Sequence, residues 1–309
     1  MTAPTAIQLR DELIPGSPEW LQTVSASQIA TIIGINPWQT PFELWQRKAG
    51  ITPQPAQTGA QTRGHEFEPL IFRWVAEKHP DWDVQQTGTW RHKHRDWQTC
   101  NPDGLIVDDT DHMVLEIKTT HDIREWDRSG VPDYYQAQAQ WQLDVLGLEK
   151  AVFAVCGPFE LIDRNPKTYT VQHDPHGCRW LRDQAQRFNE SLILGIAPDP
   201  DHNREGDRVA VRWQHPTISE GPAPLTLPDE LAIEWLEAVD YETRYGGRKS
   251  AAASRIVAYM GEAKSVEWRG VVLGSRRNGR NGNPPYFAAA KGIADRIPDL
   301  LATPREETA

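Results

Sequence analysis

Cysteine is scarce in this chain. Cys100, Cys156 and Cys178 are the only three in 309 residues, and they are widely spaced. They form no Cys-x-x-Cys pair and no zinc-ligand pattern. Three thiols cannot complete a four-cysteine iron–sulfur cluster, so buried, reduced cysteines are expected. Long apolar runs are also missing, and none approaches the roughly 18 residues needed to cross a bilayer. The N-terminus lacks the basic-then-apolar pattern of a secretory leader. These absences lead to the expectation of a cytoplasmic protein with no membrane partner. Positive charge is in short supply as well. Lys and Arg total 33 against 43 Asp and Glu, a net charge of -10. That counts against a protein that binds nucleic acid through bulk charge, although a local basic channel can coexist with an acidic exterior.

What is present suits a soluble globular chain: 39% hydrophobic residues and a mean hydropathy of -0.61. The length allows one large domain or two modest ones. The 13 tryptophans are expected mainly as core anchors, with one or two able to stack on bases.

The chain is organised around Asn101-Pro102-Asp103-Gly104-Leu105-Ile106-Val107 and Met113-Val114-Leu115-Glu116-Ile117-Lys118. Two apolar runs flank a polar, turn-prone insert, which predicts a β-hairpin. Period-2 alternation puts Glu116 and Lys118 on one face and sends Ile117 into the core. Asp103 starts the partner strand, behind a proline that cannot join a central ladder. Two carboxylates and one ammonium are thus predicted to meet at one end of a sheet. That trio suits phosphodiester hydrolysis. Carboxylates hold a hard divalent cation, the cation activates water and neutralises transition-state charge, and a lysine orients or deprotonates the attacking water.

The rest of the chain can be read in order. Residues 1–18 are polar and proline-bearing, expected as a loose arm. Ser25 or Ser27 caps a helix carrying Ile29, Ile32 and Ile33 and ended by Gly34. A second short helix is expected from Pro41 to Gly50, then a linker over 51–62. A strong helix follows from Arg63 to His79, with Phe67, Leu70, Ile71, Trp74 and Val75 on one stripe. Residues 83–91 and 98–100 read as strands, with a solvated basic loop at 91–95 between them. A helix should open at Asp133 and stop at Gly147. Strands at 151–155 and 169–171 and a helix over 180–194 complete the core. Residues 199–228 read as a linker, and 229–309 as a mainly helical extension. In that extension a helical segment over 229–260 can break at Gly246-Gly247, 266–273 can be a strand, and 275–282 is a basic, glycine-rich turn.

Pro102-Asp103 followed by Glu116-Ile117-Lys118 resembles the PD-(D/E)xK nuclease motif. Three further blocks stand in matching order: Ser25-Ala26-Ser27 with 28–34, Arg63-Gly64-His65-Glu66-Phe67-Glu68, and Tyr134-Tyr135-Gln136-Ala137-Gln138-Ala139-Gln140. On these residues, roughly Trp20 to Pro198 resembles the phage lambda exonuclease or YqaJ-like viral recombinase family. The resemblance implies an α/β restriction-endonuclease-like core over 19–198, a central mixed sheet flanked by helices. It implies Mg²⁺ or Mn²⁺ held by Glu68, Asp103, Glu116 and the Ile117 carbonyl, with Lys118 and Gln138 placing the nucleophile. It also implies phosphate contacts from Ser25 and Ser27. Ser27 serves equally as an N-cap, and Glu68 and Gln138 would need no explanation as solvated helix residues. The implied activity is exonuclease digestion of double-stranded DNA ends, 5′ to 3′, in homologous recombination. An annealing protein is the implied partner, a ring-shaped trimer the implied assembly, and a host cytoplasm the implied location.

One departure bears on this. The family places an arginine about seven residues before the serine, and here that position is Trp20, with no arginine through Val24. Arg10 or Arg63 are the available substitutes. The gap favours a second reading, a structure-specific or single-strand endonuclease of the same fold. A third reading, a catalytically silent DNA- or protein-binding module, conflicts with the competent residue types at every motif position.

Overall fold

The computed structural model describes residues 5–109, 111–219, 221, 224–240, 246–279 and 283–302. The chain forms two compact units, Met1–Ala197 and Pro198–Ala309. The first unit begins with β1 (Ala6–Gln8), α1 (Pro18–Leu21), β2 (Val24–Ser25), α2 (Ala26–Ile32), α3 (Pro41–Lys48) and α4 (Gly59–Lys78). It continues with β3 (Asp83–Gln85), β4 (Trp90–His92), β5 (Arg95–Cys100), β6 (Gly104–Asp108), β7 (Asp111–Thr119), α5 (Ile123–Ser129) and α6 (Asp133–Leu146). It ends with β8 (Lys150–Cys156), α7 (Pro158–Asp163), β9 (Lys167–Gln172) and α8 (Pro175–Leu194).

A five-stranded mixed sheet, β3-β6-β7-β8-β9, is flanked by helices, the α/β class expected from the sequence. β6 and β7 form the expected antiparallel hairpin, pairing Gly104 with Leu115 and Asp108 with Asp111. Asp109 turns the chain at φ 49°, a left-handed conformation that aspartate tolerates. β7 also pairs in parallel with β8, so it is a central strand and is covered on both faces. Its side chains alternate between two cores. Met113, Leu115 and Ile117 pack with Ile71, Trp74 and Val75 of α4. Val114 packs with Phe153, Val155 and the apolar face of α6. Glu116 and Lys118 therefore project on the α6 side. A second sheet, β1-β4-β5-β2, closes over that same core through Ala6, Val24 and Cys100.

Several elements match their sequence reading closely. α6 runs from Asp133 to Leu146 and stops at Gly147, whose φ of 69° suits a glycine terminator. All three cysteines are free and buried. Other segments differ. The N-terminal stretch is no loose arm, because β1 pairs with β4 and Thr5 donates to the Val145 carbonyl at 2.9 Å. Three residues held by backbone bonds leave no periodicity to read. α4 starts inside the expected 51–62 linker. Thr58 caps it and Gln61 reaches back to the Thr58 N–H at 2.8 Å, a capping box that Gly59 obscures. The basic segment 91–95 is not a solvated loop. Arg91 and His92 lie in β4, and Arg95 pairs with Asp144 at 3.0 Å.

The second unit holds α9 (Glu205–Gln214), β10 (Leu225–Thr226), α10 (Asp229–Asp240), α11 (Gly246–Met260), β11 (Ser265–Trp268), β12 (Val271–Arg277), β13 (Tyr286–Ala289) and α12 (Ile293–Ala302). Helix dominates, but the single strand expected here is one of four in a sheet ordered β10-β11-β12-β13. The 199–228 stretch is not simply a linker, since α9 buries Asp207, Ala210 and Val211. A short helix with so few apolar residues gives little periodic signal. Nor is the start of the 275–282 turn exposed. Arg276 is buried and donates to the carbonyls of His215, Thr217 and Gly261. Residues 280–282 of that turn, 1–4 of the arm, and 220, 222 and 223 of the linker lie outside the described residues.

One glycine sets how closely α4 approaches the hairpin. A Cβ on Gly104 would meet Phe72 Cε2 at 2.8 Å and the Gln85 carbonyl oxygen at 3.0 Å. Phe72 lies one helical turn beyond Glu68, so any retreat of α4 carries Glu68 with it. Gly104→Ala is expected to lower stability by about 1–3 kcal/mol, measured as a drop in thermal midpoint. Gly64→Ala in α4 has nothing within 4 Å of its new methyl and is expected to leave the midpoint unchanged or raise it.

Candidate active site

Glu116 is 1% exposed in the middle of the sheet. A carboxylate at such depth is tolerated only if it is paired and hydrogen-bonded. Three donors meet this one. Oε2 accepts from Lys118 Nζ at 2.6 Å and from Gln138 Nε2 at 2.7 Å. Oε1 accepts from Gln142 Nε2. The strand supplies the lysine, because residues two apart share a face. α6 supplies both glutamines, because residues four apart are stacked on one helix face.

Asp103 sits one step beyond the last hairpin pair, Gly104 with Leu115, and so lies opposite Glu116. Its Oδ2 accepts the Ile117 N–H at 2.6 Å, completing the ladder with a side chain where Pro102 interrupts the strand. Burial, the Glu116 charge and, more weakly, Glu68 push the Asp103 carboxyl up to about 8 against the opposing pull of Lys118 and the Ile117 N–H. Glu68 is on α4, across the sheet from α6, with its carboxylate 3.8 Å from His65 Nδ1. Lys118 is pulled the other way. Burial disfavours its charge, but Glu116 and Asp103 more than reverse this and raise its pKa above the ordinary lysine value. Its ammonium also lies 5.2 Å from the centre of the Tyr135 ring.

Asp103, Glu116, Lys118 and Gln138 are therefore gathered around one point, with Ile117 bonded to Asp103 through its N–H. The phosphate-binding residues expected from the sequence lie on neighbouring elements. Ser25 is the N-cap of α2 and Ser27 is exposed in its first turn, their hydroxyls 3.1 Å apart. β2 brings them in beside β5, pairing Ser25 with Thr99, four residues before Asp103. Arg63, in the early turns of α4, has its Nη2 3.4 Å from His121 Nε2. Trp20, at the position of the missing arginine, is buried. Beside it is a buried amine, Lys48, whose Nζ donates to the Trp20 and Thr23 carbonyls and lies 3.8 Å from the Trp20 ring centre. Desolvation, helped by the neighbouring Arg47 charge, lowers Lys48 to about 7. It braces the turn leading into Ser25 rather than facing a ligand.

One partner of the site escaped the sequence reading. Gln142 is fully buried against Glu116; its signal was spacing, one turn after Gln138, on a helix whose glutamines at 136, 138 and 140 drew attention away. Tyr135, part of the 134–140 block, faces the Lys118 ammonium. Elsewhere among the described residues, Asp144, His173 and Cys178 bring ligand-type atoms within 4.8 Å of one another. Asp144 is already taken up by Arg95, Gln98 and Arg182, which makes that group a structural charge cluster.

Comparison with known proteins agrees with the motif reading. A model of the YqaJ-like viral recombinase domain matches residues 19–149. The alkaline exonuclease LHK-Exo from Laribacter hongkongensis is 22% identical with a TM-score of 0.48, over 58% of this chain and 94% of that one. A phage-related exonuclease from Haemophilus somnus 129PT is 15% identical with a TM-score of 0.42, over 57% of this chain and 96% of that one. The uncharacterized protein YqaJ of Bacillus subtilis (strain 168) is 32% identical over 227 residues, 70% of this chain and 69% of its own. With that identity over more than two thirds of both chains, the chain belongs to the YqaJ-like viral recombinase family.

Proposed function

We propose that this protein is a divalent-metal-dependent DNA exonuclease that digests double-stranded ends 5′ to 3′ and leaves 3′ single strands for an annealing protein. The observation that carries the reading is the junction at Glu116, where Lys118 and Gln138 meet a carboxylate that lies opposite Asp103.

The donor set suits a hard cation. Asp103 is disfavoured as an anion beside Glu116 and Glu68, and such crowded oxygen donors are what Mg²⁺ or Mn²⁺ relieves. Glu68, Asp103, Glu116 and the Ile117 carbonyl are the residues that would hold the ion. When bound, it supplies Lewis-acid charge at the scissile phosphate. Lys118, with its raised pKa, acts as a donor that orients the attacking water and offsets negative charge, not as the proton acceptor. Gln138 keeps the Glu116 carboxylate turned toward the site. Ser25, Ser27 and Arg63 serve as contacts to the strand's phosphates. A ring-shaped trimer around DNA is compatible with this scheme.

The buried Trp20 favours a second reading, an endonuclease of the same fold with no terminal-phosphate requirement. End-labelled duplex, with and without a 5′-phosphate, and a closed circle separate the two. The exonuclease reading expects digestion of linear DNA and an intact circle; equal rates on both would remove it. Lys118→Ala is expected to lose at least ~10²-fold in rate.

The Asp103 shift gives a stability prediction without metal. A folded pKa of about 8, above the ordinary aspartate value of roughly 4, means the folded state holds the extra proton. Its contribution is fully present below about pH 4 and is lost as pH rises through about 8. Under chelation, the thermal midpoint of the wild type should fall between pH 5 and 8 more than that of Asp103→Asn. Mn²⁺ should restore the wild type at pH 8 but not the variant. Parallel midpoint curves for the two proteins would contradict the assignment.

A further inference from the structure

One aromatic row has no part in the scheme above. Trp38 is 66% exposed on the loop between α2 and α3. That loop is held from within. Asn36 Nδ2 donates to Thr31 Oγ1 at 2.7 Å, Asn36 Oδ1 accepts from the Trp38 N–H at 2.9 Å, and the Asn36 N–H reaches the Ala30 carbonyl at 3.1 Å. Pro37 fixes a further backbone torsion. The indole is thus set in place, not trailing from a slack loop. Its ring centre lies 5.1 Å from that of Tyr134, with the planes at 78°, and 6.5 Å from that of Tyr135. The two tyrosine rings are 4.5 Å apart, and Tyr135 is the ring beneath the Lys118 ammonium. The row runs from solvent to the catalytic lysine.

A single exposed hydrophobic residue is ordinary. Here three observations coincide: a braced loop, unbroken aromatic contact, and an endpoint at Lys118. We propose that Trp38 is a stacking platform for a nucleobase of the strand whose phosphate lies beside Lys118. The inference rests on the nuclease reading above and adds a substrate contact to it. With 66% of Trp38 exposed, indole surface is open to a base. Every base presents a π-face, so the contact tolerates any sequence, as an end-digesting enzyme requires. Stacking also needs no positive charge, which suits a chain of net charge -10.

The test crosses protein and DNA changes. Digestion is measured for wild type, Trp38→Phe and Trp38→Ala on duplexes with intact bases and with an abasic site at each of the terminal positions in turn. Trp38→Ala is expected to raise KM about 10-fold or more with a smaller change in kcat, and Trp38→Phe to retain most of the affinity. An abasic site at one position should cost the wild type a similar factor and cost Trp38→Ala nothing further. Equal penalties in the two proteins at every position would overturn the proposal and mark the indole as a contact for a protein partner or a second copy. So would a Trp38→Ala protein indistinguishable from wild type. A strand carrying 2-aminopurine near its end, mixed with Lys118→Ala protein, reports stacking without turnover. Quenching that requires Trp38 supports the platform even if the wild type cuts no DNA, an outcome that would remove the nuclease reading alone. No quenching at any position would remove the platform alone.

Discussion

A carboxylate cannot be left unpaired in the middle of a sheet, and the site follows from how Glu116 is satisfied. β7 is covered on both faces, so Glu116 has no access to bulk water. Desolvating it would cost several kcal/mol without partners. Lys118 neutralises its charge, and two glutamines one turn apart on α6 each donate to one of its oxygens. This fixes the rotation of α6 about its own axis and its position along the sheet. The same bonds that make burial tolerable also hold the carboxylate in one orientation, so stability and preorganisation come from one network.

The two sides of the sheet contribute differently. On the α6 side, polar residues emerge through an otherwise apolar layer containing Ala139, Trp141 and Leu143. On the α4 side, the layer stays apolar through Ile117 and Cys156, and Glu68 sits midway along the helix. Asp103 lies where the two sides meet. It is beyond the hairpin ladder, yet its carboxylate completes that ladder. Burial and the Glu116 charge disfavour the Asp103 anion, so these acids form the kind of perturbed carboxyl pair that concentrates at functional sites.

Much of this was legible in the sequence because it rests on periodicity. The hairpin, the shared face of Glu116 and Lys118, and the span of α6 follow from alternation, helical spacing and a terminating glycine. Segments with too little pattern were not legible. β1 is three residues long, α9 has few apolar positions, and the second unit's sheet is built from strands of two to seven residues. Charged segments misled for a related reason. Arg95 and Arg276 look like surface cations, but Arg95 is paired with Asp144 and Arg276 is buried against backbone carbonyls. Local sequence cannot reveal such partners, because they come from 49 and 59 residues away.

By itself the sequence determined that Glu116 and Lys118 share one face of a strand and that Asp103 starts the strand beside them. It did so because side-chain direction along a strand is a local property with a period of two. Only the tertiary structure decided that Gln142 joins Gln138 on Glu116, that Tyr135 lies beneath Lys118, that Glu68 comes within electrostatic reach of Asp103, and that Lys48 occupies the space beside Trp20. Those relations depend on how helices and strands distant in sequence pack together, which backbone periodicity does not encode.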